Sequence, residues 1–226
     1  MSVTAPRRAL IAGAGGLVGQ RLLARLLDDP AYGEVHALLR RPLTDAQRPA
    51  GAATRLREHV VDFATLGRTQ GFPVADDLYV CLGTTLKAAG SQEAFRRVDF
   101  DTVVGVARLA RRHGATRCVA VSALGADPAS RVFYNRVKGE AEAALARLDY
   151  PSLTVLRPSL LDGDRVESRP GERATLVLAR PIARWIPARW RPVSAEAVAR
   201  CMLDAGHRGD AGLRIIESDR IQAFAG

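Results

Sequence analysis

The residues best suited to chemistry are Tyr134 and Lys138 in the run Tyr134-Asn-Arg-Val-Lys138. Residues four apart share one face of a helix, so the two side chains would be neighbours. A free tyrosine ionises near pH ~10 and is a poor proton carrier at neutral pH until a nearby cation favours its phenolate. Lys138 is such a cation. The chain has four tyrosines and two lysines, Lys87 and Lys138. A chance pair at this spacing is therefore expected only about 0.04 times. Ser122 closes the apolar run Cys118-Val-Ala-Val-Ser122, and its hydroxyl could donate to a carbonyl oxygen, although serines also end strands for no chemical reason. Tyr134, Lys138 and Ser122 together could protonate a carbonyl oxygen as hydride arrives, or run the reverse.

A second set surrounds Arg8-Ala-Leu-Ile-Ala-Gly13-Ala-Gly15-Gly16-Leu17-Val18-Gly19. A short apolar run reads as a buried strand, three glycines follow at spacing of three, and an apolar pattern of helical period begins at once. Strand, glycine turn and helix is the context that gives such glycines a task. Gly13 permits a tight turn, Gly16 lets backbone N–H groups approach a pyrophosphate, and Gly19 lets the helix pack close to the strand. Gly15, Leu17 and Val18 complete the expected cofactor cradle, and the helix N-terminus adds partial positive charge. An ordinary glycine-rich turn is the bland alternative.

These residues need elements to position them. The glycine helix is stopped by Asp28-Asp-Pro30, and Glu34 to Leu39 reads as a second strand. About 20 residues past the glycines, an Asp or Glu would meet the ribose of NAD. Arg40 and Arg41 stand there instead, and guanidinium suits the 2′-phosphate of NADP. The run from His59 to Phe63 predicts a third strand, with Asp62 placed to meet an adenine and Phe63 beside it. Leu78 to Leu82 predicts a fourth strand, left through Gly83 and Thr84, where a small residue lets a dinucleotide pass. Ser91 offers an N-cap for one long helix ending at His113 and Gly114. Ser130 to Leu148 predicts the helix that carries Tyr134. Leu153 to Leu156 predicts a sixth strand, with Pro158 and Ser159 leaving it near the nicotinamide. Ser194 caps a helix through Leu203, and Leu213 to Ile216 is a last strand.

Strands alternating with helices predict an α/β fold with a doubly wound parallel sheet, a Rossmann-like NAD(P)-binding domain. Residues 1–226 form one such domain in this reading, and residues 157–226 supply a small C-terminal cap on the substrate side. Ligands in such sheets lie at the carboxyl ends of the strands. The loop Asp162 to Glu172 is placed to flank the pocket, or is plain surface. The tryptophan- and arginine-rich stretch 175–191 fits a pocket cap, with a membrane-surface or partner contact as its other readings.

Composition narrows the rest. At 226 residues and 47% hydrophobic content the chain can bury a real core, and no run reaches a membrane span. Met1 to Arg7 lacks the apolar stretch of a secretory signal. Cys81, Cys118 and Cys201 stand far apart and read as reduced thiols, so a cytoplasmic location is expected. The histidines show no metal-ligand spacing, and no metal is expected. The net charge of +9 is spread along the chain without aromatic interleaving, which argues against nucleic acid as a partner. A small-molecule substrate is expected, in a monomer or homodimer.

The glycine spacing with Tyr134-x-x-x-Lys138 resembles the short-chain dehydrogenase/reductase superfamily. Leu38-Leu-Arg-Arg-Pro42, Gly83-Thr-Thr85, Gly125-Ala-Asp127, Lys138-Gly-Glu-Ala-Glu142, Arg157-Pro-Ser159 and Asp164-Arg-Val-Glu-Ser-Arg-Pro-Gly-Glu172 are similar to its atypical Tat-interactive oxidoreductase branch and bacterial relatives. The resemblance covers nearly the whole chain. It implies NADP(H) rather than NAD(H), and an oxidoreductase-like site. Such chains are often labelled epimerase-like, yet the short region after the sixth strand suits a compact substrate. Two departures stand out. Ser122-Ala123 replaces a frequent serine pair, and Asp99 stands where many extended members carry asparagine. The leading reading is hydride transfer between NADP(H) and a small carbonyl or alcohol. The alternative is a non-catalytic NADP(H) sensor that regulates a partner protein.

Overall fold

The computed structural model describes residues 5–49, 54–66, 71–162 and 187–225. Among them, seven strands form one parallel sheet in the order β3-β2-β1-β4-β5-β6-β9. In chain order these strands are β1 (Arg7–Ala12), β2 (Tyr32–Leu39), β3 (Leu56–Val60), β4 (Asp77–Val80), β5 (Arg117–Val121), β6 (Ser152–Arg157) and β9 (Gly212–Glu217). A two-residue pair of β7 (Leu161–Asp162) with β8 (Val193–Ser194) lies outside the main sheet. The central strands are buried on both faces, so they read as continuous apolar runs rather than alternating ones.

Successive residues still face opposite sides. Ala9 and Ile11 of β1 join the core formed with Leu22, Leu23 and Leu26 of helix α1 (Leu17–Asp28) and Val198 and Met202 of helix α6 (Ala195–Arg208). Leu10 and Ala12 join the opposite core, with Val103, Val106 and Ala107 of helix α4 (Val103–Arg112) and Leu145 of helix α5 (Phe133–Ala146). The sheet is thus doubly wound, as expected. Chain order reverses between β1 and β4, which opens the ligand crevice beyond their carboxyl ends.

The opposite end of the sheet is pinned by a buried polar knot. The Tyr32 hydroxyl donates to Asp77 Oδ2 at 2.5 Å and lies 2.7 Å from the Tyr79 hydroxyl, while Arg7 Nη1 reaches the same carboxylate at 2.5 Å. A Cβ on Gly206 would sit 1.9 Å from the Tyr79 oxygen, so α6 approaches only because glycine stands there. This knot fixes β1, β2 and β4 relative to α6 and sets where their far ends emerge.

Several boundaries differ from expectation. The third strand is Leu56–Val60, not His59 to Phe63, so Asp62 and Phe63 stand past its end. The long helix from Ser91 is three joined pieces. These are α3 (Gln92–Arg96), a π-helical turn (Arg97–Thr102) and α4. Ser91 caps it, its hydroxyl accepting from the Ala94 N–H at 3.0 Å. α5 begins at Phe133 rather than Ser130, because Val132 is still extended. α6 runs past Leu203 to Arg208 and stops at Gly209, whose φ of +55° closes the helix. Between α5 and the C-terminal edge, residues 163–186 lie outside the described residues. They include nearly all of the loop Asp162 to Glu172 and most of the stretch 175–191.

At the β2–β3 edge, His36 Nδ1 and His59 Nε2 face each other at 2.9 Å, with Glu34 on the other His36 nitrogen at 3.3 Å. Burial pulls both imidazoles below the ordinary histidine value, and for His36 it outweighs the opposing pull of Glu34. The unfolded chain therefore binds protons here more readily than the folded one. The stability this site contributes is present above about pH 6.5 and is lost as pH falls through the lowered folded values. Urea midpoints measured from pH 7.5 down to pH 5 should fall, and His59→Phe should flatten that dependence.

Candidate active site

At the exit of β1, Gly13 adopts φ +94°, and a Cβ there would lie 2.7 Å from the backbone of Cys81. The Gly16 N–H donates to the Gly13 carbonyl at 3.0 Å. A Cβ on Gly19 would stand 2.0 Å from the same carbonyl oxygen, which no side chain tolerates. Gly16 is the N-cap of α1, with no side-chain cap and no acidic residue in the first turn. First-turn N–H groups without such caps suit an anion. Gly15 is exposed, and Leu17 is half-buried. The Val18 side chain is buried in the core, leaving only its backbone to face the turn.

Arg40 and Arg41 follow β2 directly, and both are exposed. Their loop lies against the glycine turn, because Gln47 Nε2 donates to the Gly15 carbonyl at 3.4 Å. Gln20 Nε2 donates to that same oxygen at 2.9 Å. Asp62 is exposed, and its carboxylate accepts from the Ala64 N–H at 2.9 Å and the Thr65 hydroxyl at 3.3 Å. It thus holds its own turn. Phe63 is partly buried against the core.

The α5 side of the crevice holds the remaining polar groups. Tyr134 is half-buried on the first turn of α5, its ring 5.3 Å from that of Phe95. Its hydroxyl has no protein partner among the described residues. Ser122 follows β5 and extends the ladder, its N–H donating to the Leu156 carbonyl at 2.7 Å. The Ser122 hydroxyl is buried and has no partner among the described residues. Such an atom is costly unless something meets it. The loop after Ser122 presses on α5, where a Cβ on Gly139 would lie 2.3 Å from the Asp127–Pro128 backbone. That contact ties the position of Ser122 to that of Tyr134.

Lys138 is buried and faces Asp99, with Nζ 2.7 Å from Oδ1. The approach is an ion contact rather than an aligned hydrogen bond. Asp99 Oδ2 accepts the Thr84 N–H at 2.9 Å. A Cβ on Gly83 would lie 3.3 Å from Asp99 Oδ1 and 3.5 Å from Lys138 Nζ. Gly83 and Thr84 thus shape the seat of the ion pair. Pro158 is buried and its carbonyl accepts from the Leu124 N–H at 2.8 Å, whereas the Ser159 hydroxyl donates to the Arg191 carbonyl. Ser159 is therefore spent on joining two loops.

Asp99 and Gln47 are the two site residues that the sequence left without a role. A signal for Asp99 existed: Phe95, Asp99 and Val103 are spaced by four, which puts a carboxylate into an apolar stripe.

No protein-family model matches the chain. Among curated proteins, the chain is 37% identical over 202 residues to Protein HTATIP2 of Rattus norvegicus, covering 88% of this chain and 80% of that one. It is 34% identical over 200 residues to the mitochondrial protein fmp52 of Aspergillus fumigatus, covering 86% and 84%. Among solved structures, a short-chain dehydrogenase/reductase family oxidoreductase from Burkholderia thailandensis superposes with a TM-score of 0.64 at 20% identity, covering 99% of this chain and 94% of that one. A UDP-glucose 4-epimerase from Thermotoga maritima superposes at 0.69 and 15% identity, covering 96% and 80%. At such identities the structures establish the fold alone.

The relatives overturn one expectation. Fungal relatives are named as mitochondrial proteins, so a cytoplasmic location does not stand. Reduced, buried thiols suit a mitochondrial compartment as well as the cytoplasm, and could not have told the two apart. No described helix is long and apolar enough to cross a membrane. With identity above 30% across most of both chains, the chain belongs to the HTATIP2 and FMP52 family, and its fold is the one seen in the short-chain dehydrogenase/reductase family oxidoreductase.

Proposed function

We propose that the protein is an NADP(H)-dependent oxidoreductase that interconverts a small carbonyl compound and its alcohol. The observation that carries this reading is the buried Ser122 hydroxyl, which has no partner among the described residues and lies beside the helix that bears Tyr134. The chain's own residues fit a dinucleotide. Gly13 and Gly19 permit close backbone contacts that a Cβ would forbid, and α1, capped by Gly16, presents uncapped N–H groups suited to a pyrophosphate. Arg40 and Arg41 lie past β2 with no acidic neighbour at the ribose position, which supports NADP over NAD.

When bound, the nicotinamide gives or takes the hydride. Ser122 donates a hydrogen bond to the substrate oxygen, Tyr134 gives that oxygen its proton or takes it back, and Lys138 offers N–H groups to the ribose.

Arg40→Ser with Arg41→Ser is expected to weaken NADPH about ten- to a hundredfold, the range for charge-assisted bonds to one phosphate. NADH affinity should not change. Fluorescence titration of both cofactors reads this directly, and equal losses for NADPH and NADH would remove the arginines from the phosphate site.

A further inference from the structure

Of the three residues on the catalytic side of α5, Lys138 is the one whose surroundings differ most from expectation. A lysine that activates a tyrosine acts through its positive charge, and here that charge is met within the protein. Asp99 Oδ1 stands 2.7 Å from Lys138 Nζ, with side-chain exposures of 0% and 7%. In so dry a seat the carboxylate is screened very little, and its field opposes that of the ammonium almost fully.

Three features hold Asp99 in place. The π-helical turn Arg97–Thr102 directs it inward, the Thr84 N–H holds its second oxygen, and Gly83 leaves the room that both charged heads occupy. Widened turns of this kind recur at functional sites. Two further carboxylates on α5 are matched by arginines, while Arg136 of α5 is held by the Ser130 carbonyl at 3.0 Å rather than by a carboxylate. Glu142, one turn beyond Lys138, is held by Arg157 of β6 at 2.6 Å. Glu140 is held by Arg96 of α3. From β5 and the residue that follows it, Ala120, Val121 and Ser122 line this space, and none of them is charged.

We propose that Asp99 is a positioning residue that holds Lys138 in a neutral ion pair, so that Tyr134 works beside a dipole rather than beside a bare cation. The functional meaning rests on the oxidoreductase reading above. A phenol beside a neutral pair is suited to give its proton to a carbonyl oxygen, so the site is built for the reducing direction. The electrostatic claim itself needs neither cofactor nor substrate.

The protein supplies its own probe. Burial drives the hydroxyls of Tyr32, Tyr79 and Tyr150 well above the usual phenol range. With four tyrosines in all, the tyrosinate absorbance step that Tyr134→Phe erases is the one to follow.

Asp99→Asn leaves a bare cation and should move that step down by about one to two pH units. Lys138→Gln leaves a bare carboxylate and should move it up by a similar amount. The double variant Asp99→Asn/Lys138→Gln keeps the net charge at zero and strands no ion. It should fold and titrate within a few tenths of a unit of the parent. A step that rises in the double variant, as loss of an unopposed cation requires, would overturn the proposal. So would an unmoved step in a folded Asp99→Asn protein. These shifts appearing in a protein that binds no NADPH would support the ion-pair role and remove the oxidoreductase reading.

Discussion

Tyr134→Phe should slow hydride transfer by about a hundred- to ten-thousandfold, the usual worth of a positioned acid–base group. NADPH affinity should stay within about twofold. The substitution removes one oxygen and little else. The ring keeps its packing against Phe95, with centroids 5.3 Å apart. The hydroxyl has no protein partner among the described residues, so its loss leaves no buried group unsatisfied. Surface-like stability effects, within about 0.5 kcal/mol, are therefore expected. Single-turnover oxidation of bound NADPH in the presence of a reducible carbonyl separates chemistry from binding. A rate that survives unchanged would remove Tyr134 from the reaction.

Lys138→Met should have the largest effect on stability. It deletes the cation beside a carboxylate whose side chain is fully buried, leaving Asp99 with only the Thr84 N–H. Breaking a buried ion pair from one side costs about 3–5 kcal/mol, because the remaining charge is stranded without solvent. Replacing both partners with apolar side chains of similar size often costs nothing. Asp99→Leu/Lys138→Met should accordingly regain most of the loss, although it would not restore any activity. Urea denaturation of the two variants tests the pair. A loss below about 1 kcal/mol for the single substitution would show that the pair is not closed in solution.

Much of this was legible in the residues, and the reasons differ from element to element. β1 and β5 carry continuous apolar runs, and those of β2 and β6 are interrupted only by the buried His36 and Thr154, so all four are easy to read. β3 is an edge strand of mixed burial, and the apolar pair Val60-Val61 drew the expectation toward its end. Asp62 went with it, and the carboxylate expected at an adenine closes its own turn. Glycine spacing announced the turn after β1 because Gly13 and Gly19 answer steric demands that no other residue meets.

The ion pair was harder to foresee. Asp99 and Lys138 lie on different helices, and spacing within one helix says nothing of which faces meet. The π-helical turn is equally silent in sequence, since Phe95, Asp99 and Val103 keep a spacing of four that suits an ordinary helix. Position therefore came from local pattern, while the ion pair came from packing between helices on one face of the sheet.

The most direct test of the account is a fluorescence titration of the purified protein with NADPH and with NADH. Saturable NADPH binding, with NADH at least about tenfold weaker, is the predicted result. It would join the glycine cradle and the two arginines into one cofactor site. Binding of neither nucleotide would contradict the account at its centre, whatever the fold.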